Sequence, residues 1–129
     1  MFFATPGFLT PTPASTSSYL LDTYGGAAAA YSVFQLSSTA TNSLRVRRSS
    51  DNAEQDIGFV SDTLDTASLL TFVGSNDGFV TTYYDQSGNS SNFTQTSASN
   101  QPKIVSAGVV VTSGSVPAVK FDGIGYYLS

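Results

Sequence analysis

The densest group of charged residues lies between positions 45 and 56. It contains Arg45, Arg47, Arg48, Asp51, Glu54 and Asp56. Arginine makes paired hydrogen bonds with planar oxygen groups, so the group predicts a polar site that clamps an anion or sugar hydroxyls. The alternative is an internal network, in which the carboxylates neutralise the arginines and order the loop. The closeness of the opposite charges in sequence favours this network.

Paired carboxylates are the other chemistry to consider. Glycosidases use one carboxyl group as an acid and a second as nucleophile or base, about 5 to 9 Å apart. Glu54 is the only glutamate, and its candidate partners are Asp51, Asp56, Asp85 and Asp122. No spacing places any two of them across a cleft, so the residues alone assign no catalytic group.

A second polar motif, Tyr84-Asp-Gln-Ser-Gly-Asn89, follows a predicted strand. Its alternating oxygens could ligate Ca²⁺, but the spacing of an EF-hand does not continue. A turn accounts for the motif better, because Gly88 and Asn89 tolerate left-handed geometry and Asp85 can bind the backbone two residues later. We predict no metal and no cofactor. The predicted ligand-binding residues are Arg47, Asp51, Tyr84 and Asp85.

Composition narrows the function further. The 129 residues include no Cys and no His, which excludes disulfides, zinc sites and His-dependent nucleophilic catalysis. The net charge is −4 with only five basic residues. This argues against a nucleic-acid surface and a polybasic membrane contact. No apolar run approaches the roughly 20 residues that span a bilayer.

Residues 1–18 predict an extended arm, because three prolines disfavour a helix. The arm carries apolar side chains that a solvated tail normally lacks: Phe2, Phe3, Phe8 and Leu9. Two interpretations stay open. The segment is either a disordered tip, or an assembly arm whose aromatics dock on a neighbouring subunit.

Residues 19–129 predict a β-rich α+β module with short helices packed on antiparallel strands as part of a β-sandwich. Helices are predicted over 19–36, from the helical spacing of Ala27, Ala30, Tyr31 and Phe34, and over 65–73. For the second helix, Asp65 is the expected N-cap and Gly74 the residue after its end.

Strands are predicted over 44–50, 78–85, 103–106, 108–112 and 117–122, with one more over 124–128. Simple alternation over 78–85 would place Phe79, Thr81, Tyr83 and Asp85 on one side of the sheet.

Several motifs carry a resemblance to a known family: Tyr31-Ser, Val46–Asp51, Asp56-Ile-Gly, Tyr84–Asn89, Gln95 and Gln101-Pro. From about residue 22 onward the chain resembles the front part of the glycoside hydrolase family 54 arabinofuranosidase B catalytic domain. The resemblance implies the early part of a β-sandwich. In that family the catalytic carboxylates come later and early Cys pairs are typical. This chain has no Cys, so we carry over no catalytic residue.

Related segments occur in phage and marine bacterial virion or surface proteins, ahead of a concanavalin-like (LamG) jelly roll. Val119–Gly123 and Tyr127–Ser129 resemble the opening of that jelly roll. This leaves two alternatives, a short natural protein or the front end of a longer one.

From the virion relatives we expect a non-catalytic structural protein at the virion surface or outside the cell: a capsid decoration, head fibre or tail fibre subunit anchored by its arm. The expected partners are other virion proteins, further copies of the chain as a homo-oligomer and a host surface glycan, with no nucleic acid and no membrane. The alternatives are a carbohydrate-binding module for surface glycans and a fragment of an arabinofuranosidase.

Overall fold

The computed structural model describes residues 18–129. The predicted assembly residues Phe2, Phe3, Phe8 and Leu9 lie outside the described residues, and their role stays a prediction. Within the described part, no helix is long and apolar enough to cross a bilayer. In chain order the elements are α1 (Leu20–Thr23), β1 (Asn42–Arg48), β2 (Glu54–Val60), β3 (Thr63–Leu64), α2 (Thr66–Val73), β4 (Gly78–Tyr83), β5 (Phe93–Thr94), a 3₁₀ turn (Ala98–Asn100), β6 (Lys103–Ser106), β7 (Val109–Val110), β8 (Thr112–Ser113) and β9 (Val116–Pro117).

One antiparallel sheet organises the chain. Its strand order is β3-β2-β1-β4-β6-β7, and β5 pairs with β4 beside this path. β8 and β9 form a separate hairpin. The two α-helices are short, so the predicted β-rich α+β class with β-sandwich character is confirmed.

The hydrophobic core lies between the sheet and α2. Its buried members are Leu44, Val46, Ile57, Leu64, Leu69, Val73, Val80, Ile104 and Val105. Gly78 allows this packing, because a Cβ there would lie only 3.1 Å from Val73 and 3.2 Å from both Val46 and Val105. Close-packed interiors have no room for such an atom.

Helix α2 confirms the prediction over 65–73. The Asp65 carboxylate accepts the N–H of Ser68 at 3.0 Å, which satisfies a donor at the helix N-terminus. Gly74 follows with φ +64° and closes the helix by donating its N–H to Leu70 O. These local signals suffice to define a helix of eight residues.

The helix predicted over 19–36 is wrong beyond its first turn. Only Leu20–Thr23 is helical, and residues 27–36 contain no helix. Their backbone groups bind partners elsewhere; for example, Gln86 N–H donates to Ala30 O at 2.7 Å. Tertiary hydrogen bonds override the helical propensity of the alanines.

A β-bulge overturns the alternation predicted for β4. On β1, Arg45 lies opposite Thr82 while Val46 lies opposite Val80, so Thr81 is the extra residue. After the bulge, Tyr83 packs against the hydrophobic core. Phe79 instead lies below the Arg47 guanidinium, with 4.9 Å from the guanidinium carbon to the ring centroid.

The remaining strand predictions are confirmed for 44–50 and 103–106, within two residues. The other three segments form less regular structure than predicted. Residues 108–112 and 117–122 contain only the short β7, β8 and β9 strand pieces. Residues 124–128 form no named strand, although Tyr127 N–H donates to Asn100 O at 2.9 Å.

Candidate functional site: a polar groove on the sheet

An open polar groove of about 550 Å³ lies on the sheet face opposite the core. Arg45 and Arg47 line it, because they alternate along β1 with the buried Leu44 and Val46. The other lining residues come from the β1–β2 turn, β2, β4, β5 and the segment before β6; they include Asn52, Glu54, Thr82, Thr94, Gln95 and Gln101.

Strand register explains why these side chains converge. Asp56 lies opposite Arg45, Arg45 opposite Thr82, and Thr82 opposite Thr94, so one row of residues crosses four strands. Directly opposed residues of antiparallel strands have Cβ atoms roughly 4.5–5.5 Å apart. The row therefore presents a carboxylate, a guanidinium and two hydroxyl groups in succession across the sheet.

Arg45 forms ion pairs with two carboxylates. Its Nε lies 3.2 Å from Glu54 Oε2 and its Nη1 2.9 Å from Asp56 Oδ1. The hydrogen bonds to Asp56, and then those to Glu54, raise the pKa of Arg45. Tyr84 donates its hydroxyl to the same Asp56 oxygen at 2.7 Å. Burial, followed by this hydrogen bond, raises the pKa of Tyr84.

Arg47 contacts only uncharged groups among the described residues. Its Nε donates to Gln101 Oε1 at 2.6 Å and its Nη1 to Asn52 Oδ1 at 2.8 Å. Gln101 is buried, and its Nε2 donates to Gln95 O at 2.9 Å. With Phe79 below it, the guanidinium is held on both its edge and its face. None of the four ion pairs between described residues includes Arg47.

Asp51 lies outside the groove lining and pairs with Arg48. Its two oxygens accept from Arg48 Nε at 3.0 Å and Nη2 at 2.6 Å. The bond from Arg48, and then the one from Ala53 N–H, lower the pKa of Asp51 to about 2. This arrangement is the internal network that the sequence favours for the charged group.

Asp85 orders a turn, as the interpretation of the motif predicts. Its carboxylate accepts the N–H groups of Ala30 and Ser87, both at 2.8 Å, and that of Ser91 at 3.0 Å. The Ser87 hydroxyl also donates to it at 2.7 Å. Burial alone raises the pKa of Asp85, but these hydrogen bonds outweigh it and hold the pKa at about 2.

The next residues of the motif hold the segment 27–36. Gln86 is buried; its Oε1 accepts Leu36 N–H at 2.7 Å and its Nε2 donates to Phe34 O at 2.9 Å. Asn89 Nδ2 donates to Ala27 O at 2.9 Å. The motif therefore supplies tertiary hydrogen bonds to the backbone of residues 27–36, in place of those that a helix would make.

Of the four predicted ligand-binding residues, the structure places Arg47 in the groove lining. Asp51, Tyr84 and Asp85 do not line it. Sequence reasoning missed Thr82 and Thr94 as groove residues. Thr82 lies opposite Arg45, and Thr94 lies opposite Thr82. Simple alternation along β4 does not predict this register, because the bulge shifts it.

Six carboxyl groups of the described residues have lowered pKa values. Each carboxyl group whose pKa departs clearly from its usual value departs downward: Asp22, Asp51, Asp65, Asp77, Asp85 and Asp122. A glycosidase acid requires a raised pKa instead. Among the residues that line the groove, Glu54 is the one carboxylate, and it is paired with Arg45.

Comparison with known proteins identifies a family. Residues 22–123 match the family model described as alpha-L-arabinofuranosidase B, catalytic. A solved structure of a GH54 α-L-arabinofuranosidase soaked with a cyclic sulfate inhibitor is 30% identical, with a TM-score of 0.47. The similarity covers 52% of this chain and 15% of that one, so the chain spans a small part of that protein's length. No curated protein matches.

These findings correct the expected function. The match over residues 22–123 is to a catalytic domain, so the expectation of a non-catalytic virion structural protein, and of no enzyme, is wrong. The virion context of the resemblance has no support. The arabinofuranosidase alternative agrees with the match. The expectations about partners and location stay untested predictions.

Proposed function

We propose that this chain, which belongs to the alpha-L-arabinofuranosidase B catalytic family, forms part of a domain that hydrolyses α-L-arabinofuranosides, and that its groove holds sugar residues of the substrate. The observation that carries the proposal is the family match over residues 22–123. The groove supports it, because polar side chains from β1, β2, β4 and β5 line it together.

The groove has the chemistry that sugar binding needs. Thr82 and Thr94 offer hydroxyls that both donate and accept, while Arg47 offers N–H groups. An open groove suits a carbohydrate chain better than an enclosed apolar cavity would, because sugar hydroxyls must keep hydrogen-bond partners. Held in place by Gln101 and Asn52, Arg47 loses little freedom when a ligand binds.

Hydrolysis itself needs an acid and a nucleophile or base. Glu54 and Asp56 both bind Arg45, so each already has an ion-pair partner within the chain. We therefore assign the described groove to holding the substrate rather than to transferring its proton.

Two assays test this function. The first follows release of nitrophenol from 4-nitrophenyl α-L-arabinofuranoside, both by this chain and by the protein isolated from its source, whose intact mass is measured first. The second measures binding of an α-L-arabinofuranosyl oligosaccharide by calorimetry. We expect hydrolysis by the isolated protein and binding by this chain. Absence of both hydrolysis and binding would refute the proposal.

Thr94→Val tests whether the groove holds the sugar, because it removes a groove hydroxyl while keeping the shape of the side chain. Loss of one hydrogen bond of about 0.5–1.5 kcal/mol weakens binding by roughly 2- to 13-fold. Thr112→Val is the control, since Thr112 lies on β8 and is exposed outside this groove. Equal effects of the two variants would place the sugar elsewhere.

A further inference from the structure

Arg47 differs from the other basic residues in its partners. Arg45, Arg48 and Lys103 each form an ion pair with a carboxylate. Arg47 binds amide oxygens, and Lys120 is exposed on the segment after β9. Glu54 lies opposite Arg47 in the β1–β2 register but forms its ion pair with Arg45, so Arg47 is a partly buried positive charge with no ion pair within the described residues.

The geometry of Arg47 leaves donors for a ligand. A guanidinium has five N–H groups. One N–H each goes to Gln101, to Asn52 and, at 3.5 Å, to Ala98 O. The two remaining N–H groups belong to the side chain that lines the groove. An arginine held in this way is suited to a carboxylate, because the pair gains charge-assisted hydrogen bonds in a fixed direction.

We infer that the groove recognises a sugar acid, and that Arg47 binds the carboxylate of a uronic acid residue in the substrate chain. The inference rests on the proposed function in one respect, since both place a carbohydrate in the same groove. The hydroxyls of Thr82 and Thr94 supply the contacts for the rest of the sugar.

The charge balance selects the kind of anion. The chain has a net charge of −4, and Glu54 lies on the same groove. A dense polyanion would meet this negative field without enough cations to neutralise it. A glycan that carries isolated carboxylates meets the guanidinium of Arg47, which has no ion pair, beside the paired Arg45 and Glu54 and neutral polar groups.

The test compares two probes that differ at one carboxyl group. They are a trisaccharide of two neutral galactose residues and one galacturonic acid residue, and the methyl ester of the same compound, whose binding to the full chain is measured by calorimetry at low salt. We expect the acid to bind at least tenfold more tightly than the ester, a factor equivalent to about 1.4 kcal/mol. We also expect added salt to reduce the difference, since it screens the charge. Equal binding of acid and ester would overturn the inference.

Variants locate the effect at Arg47. Arg47→Gln should abolish the preference for the acid, and Arg47→Lys should keep part of it, because lysine retains the charge without the paired donors. Lys120→Gln changes the net charge by the same amount and should leave the preference intact.

Thermal unfolding of each variant checks its fold. If Arg47→Gln unfolds, Arg47→Lys is compared with the unmodified chain instead. A smaller ratio of acid affinity to ester affinity in Arg47→Lys supports the inference, and an equal ratio overturns it. Loss of the preference in Lys120→Gln would overturn the assignment to Arg47.

The outcomes separate this inference from the proposed function. Hydrolysis of the arabinofuranoside with no preference for the acid would refute the sugar-acid inference and leave the proposed function standing. A clear preference for the acid, with neither hydrolysis nor binding of arabinofuranosides, would refute the proposed function and support Arg47 as a sugar-acid site.

Discussion

Replacing Asp85 with asparagine should destabilise the fold by about 2 kcal/mol at neutral pH. One carboxylate oxygen accepts N–H from Ala30 and Ser87, and the other accepts Ser91 N–H and the Ser87 hydroxyl. Asparagine keeps one acceptor, but its amide group would face Ser91 N–H, so a donor loses its partner. Hydrogen bonds to charged groups contribute about 1.5–3 kcal/mol and neutral ones about 1. Partial exposure reduces the summed difference to about 2 kcal/mol.

The effect should depend on pH in a defined direction. Burial raises the pKa of Asp85, but the hydrogen bonds from Ser87, Ala30 and Ser91 bring it down to about 2 in the folded chain. In the unfolded chain an aspartate titrates near 3.9. Because the folded pKa is the lower one, the carboxylate contributes fully above the unfolded pKa, and its contribution is lost as pH falls from about 4 to 2. Asparagine does not titrate, so wild type and variant should converge in stability toward pH 2.

Urea unfolding followed by circular dichroism at pH 7 and pH 2.5 measures both quantities. Asp122→Asn is the matched control, because Asp122 also accepts three backbone N–H groups, but within its own exposed turn. We expect the control to cost less than about 1 kcal/mol, since surface changes are usually small. A cost below about 0.5 kcal/mol for Asp85→Asn at pH 7, or an equal cost at both pH values, would refute the reasoning.

Three further changes test the fold by the same unfolding measurement. Gln86→Ala should cost about 2–4 kcal/mol, because it removes the partners of the part-buried Leu36 N–H and Phe34 O and one of the two donors to Ser32 O. Gly58→Ala should cost about 1–3 kcal/mol, since its Cβ would lie 2.5 Å from the backbone oxygen of Thr41. Asp65→Ala should cost about 1 kcal/mol by removing the N-cap of α2, while Asp65→Ser should restore most of it.

Matched controls accompany these variants. Gln55→Ala changes an exposed glutamine on β2, and Gly25→Ala adds a Cβ with no atom within 4 Å. Both should stay within about 0.5 kcal/mol of wild type. Controls as costly as Gln86→Ala and Gly58→Ala would show that residue type, not the described contacts, sets the cost.

The sequence by itself determined the features whose causes are local. The cap at Asp65 and the glycine at position 74 define α2, and alternation places Arg45 and Arg47 opposite the apolar residues of β1. Composition predicted the β-rich class. The motifs between Tyr31 and Pro102 also indicated the family that the match over residues 22–123 shows.

The tertiary structure decided what depends on distant partners. The alanine-rich segment 27–36 has helical spacing, yet Gln86 and Asn89 bind its backbone from more than 50 positions away. The bulge at Thr81 reverses the faces of β4, and only the pairing with β1 reveals it. The groove exists because register places Arg45, Thr82 and Thr94 in one row. Local propensity is worth well under 1 kcal/mol per residue, so several hydrogen bonds to a remote motif outweigh it.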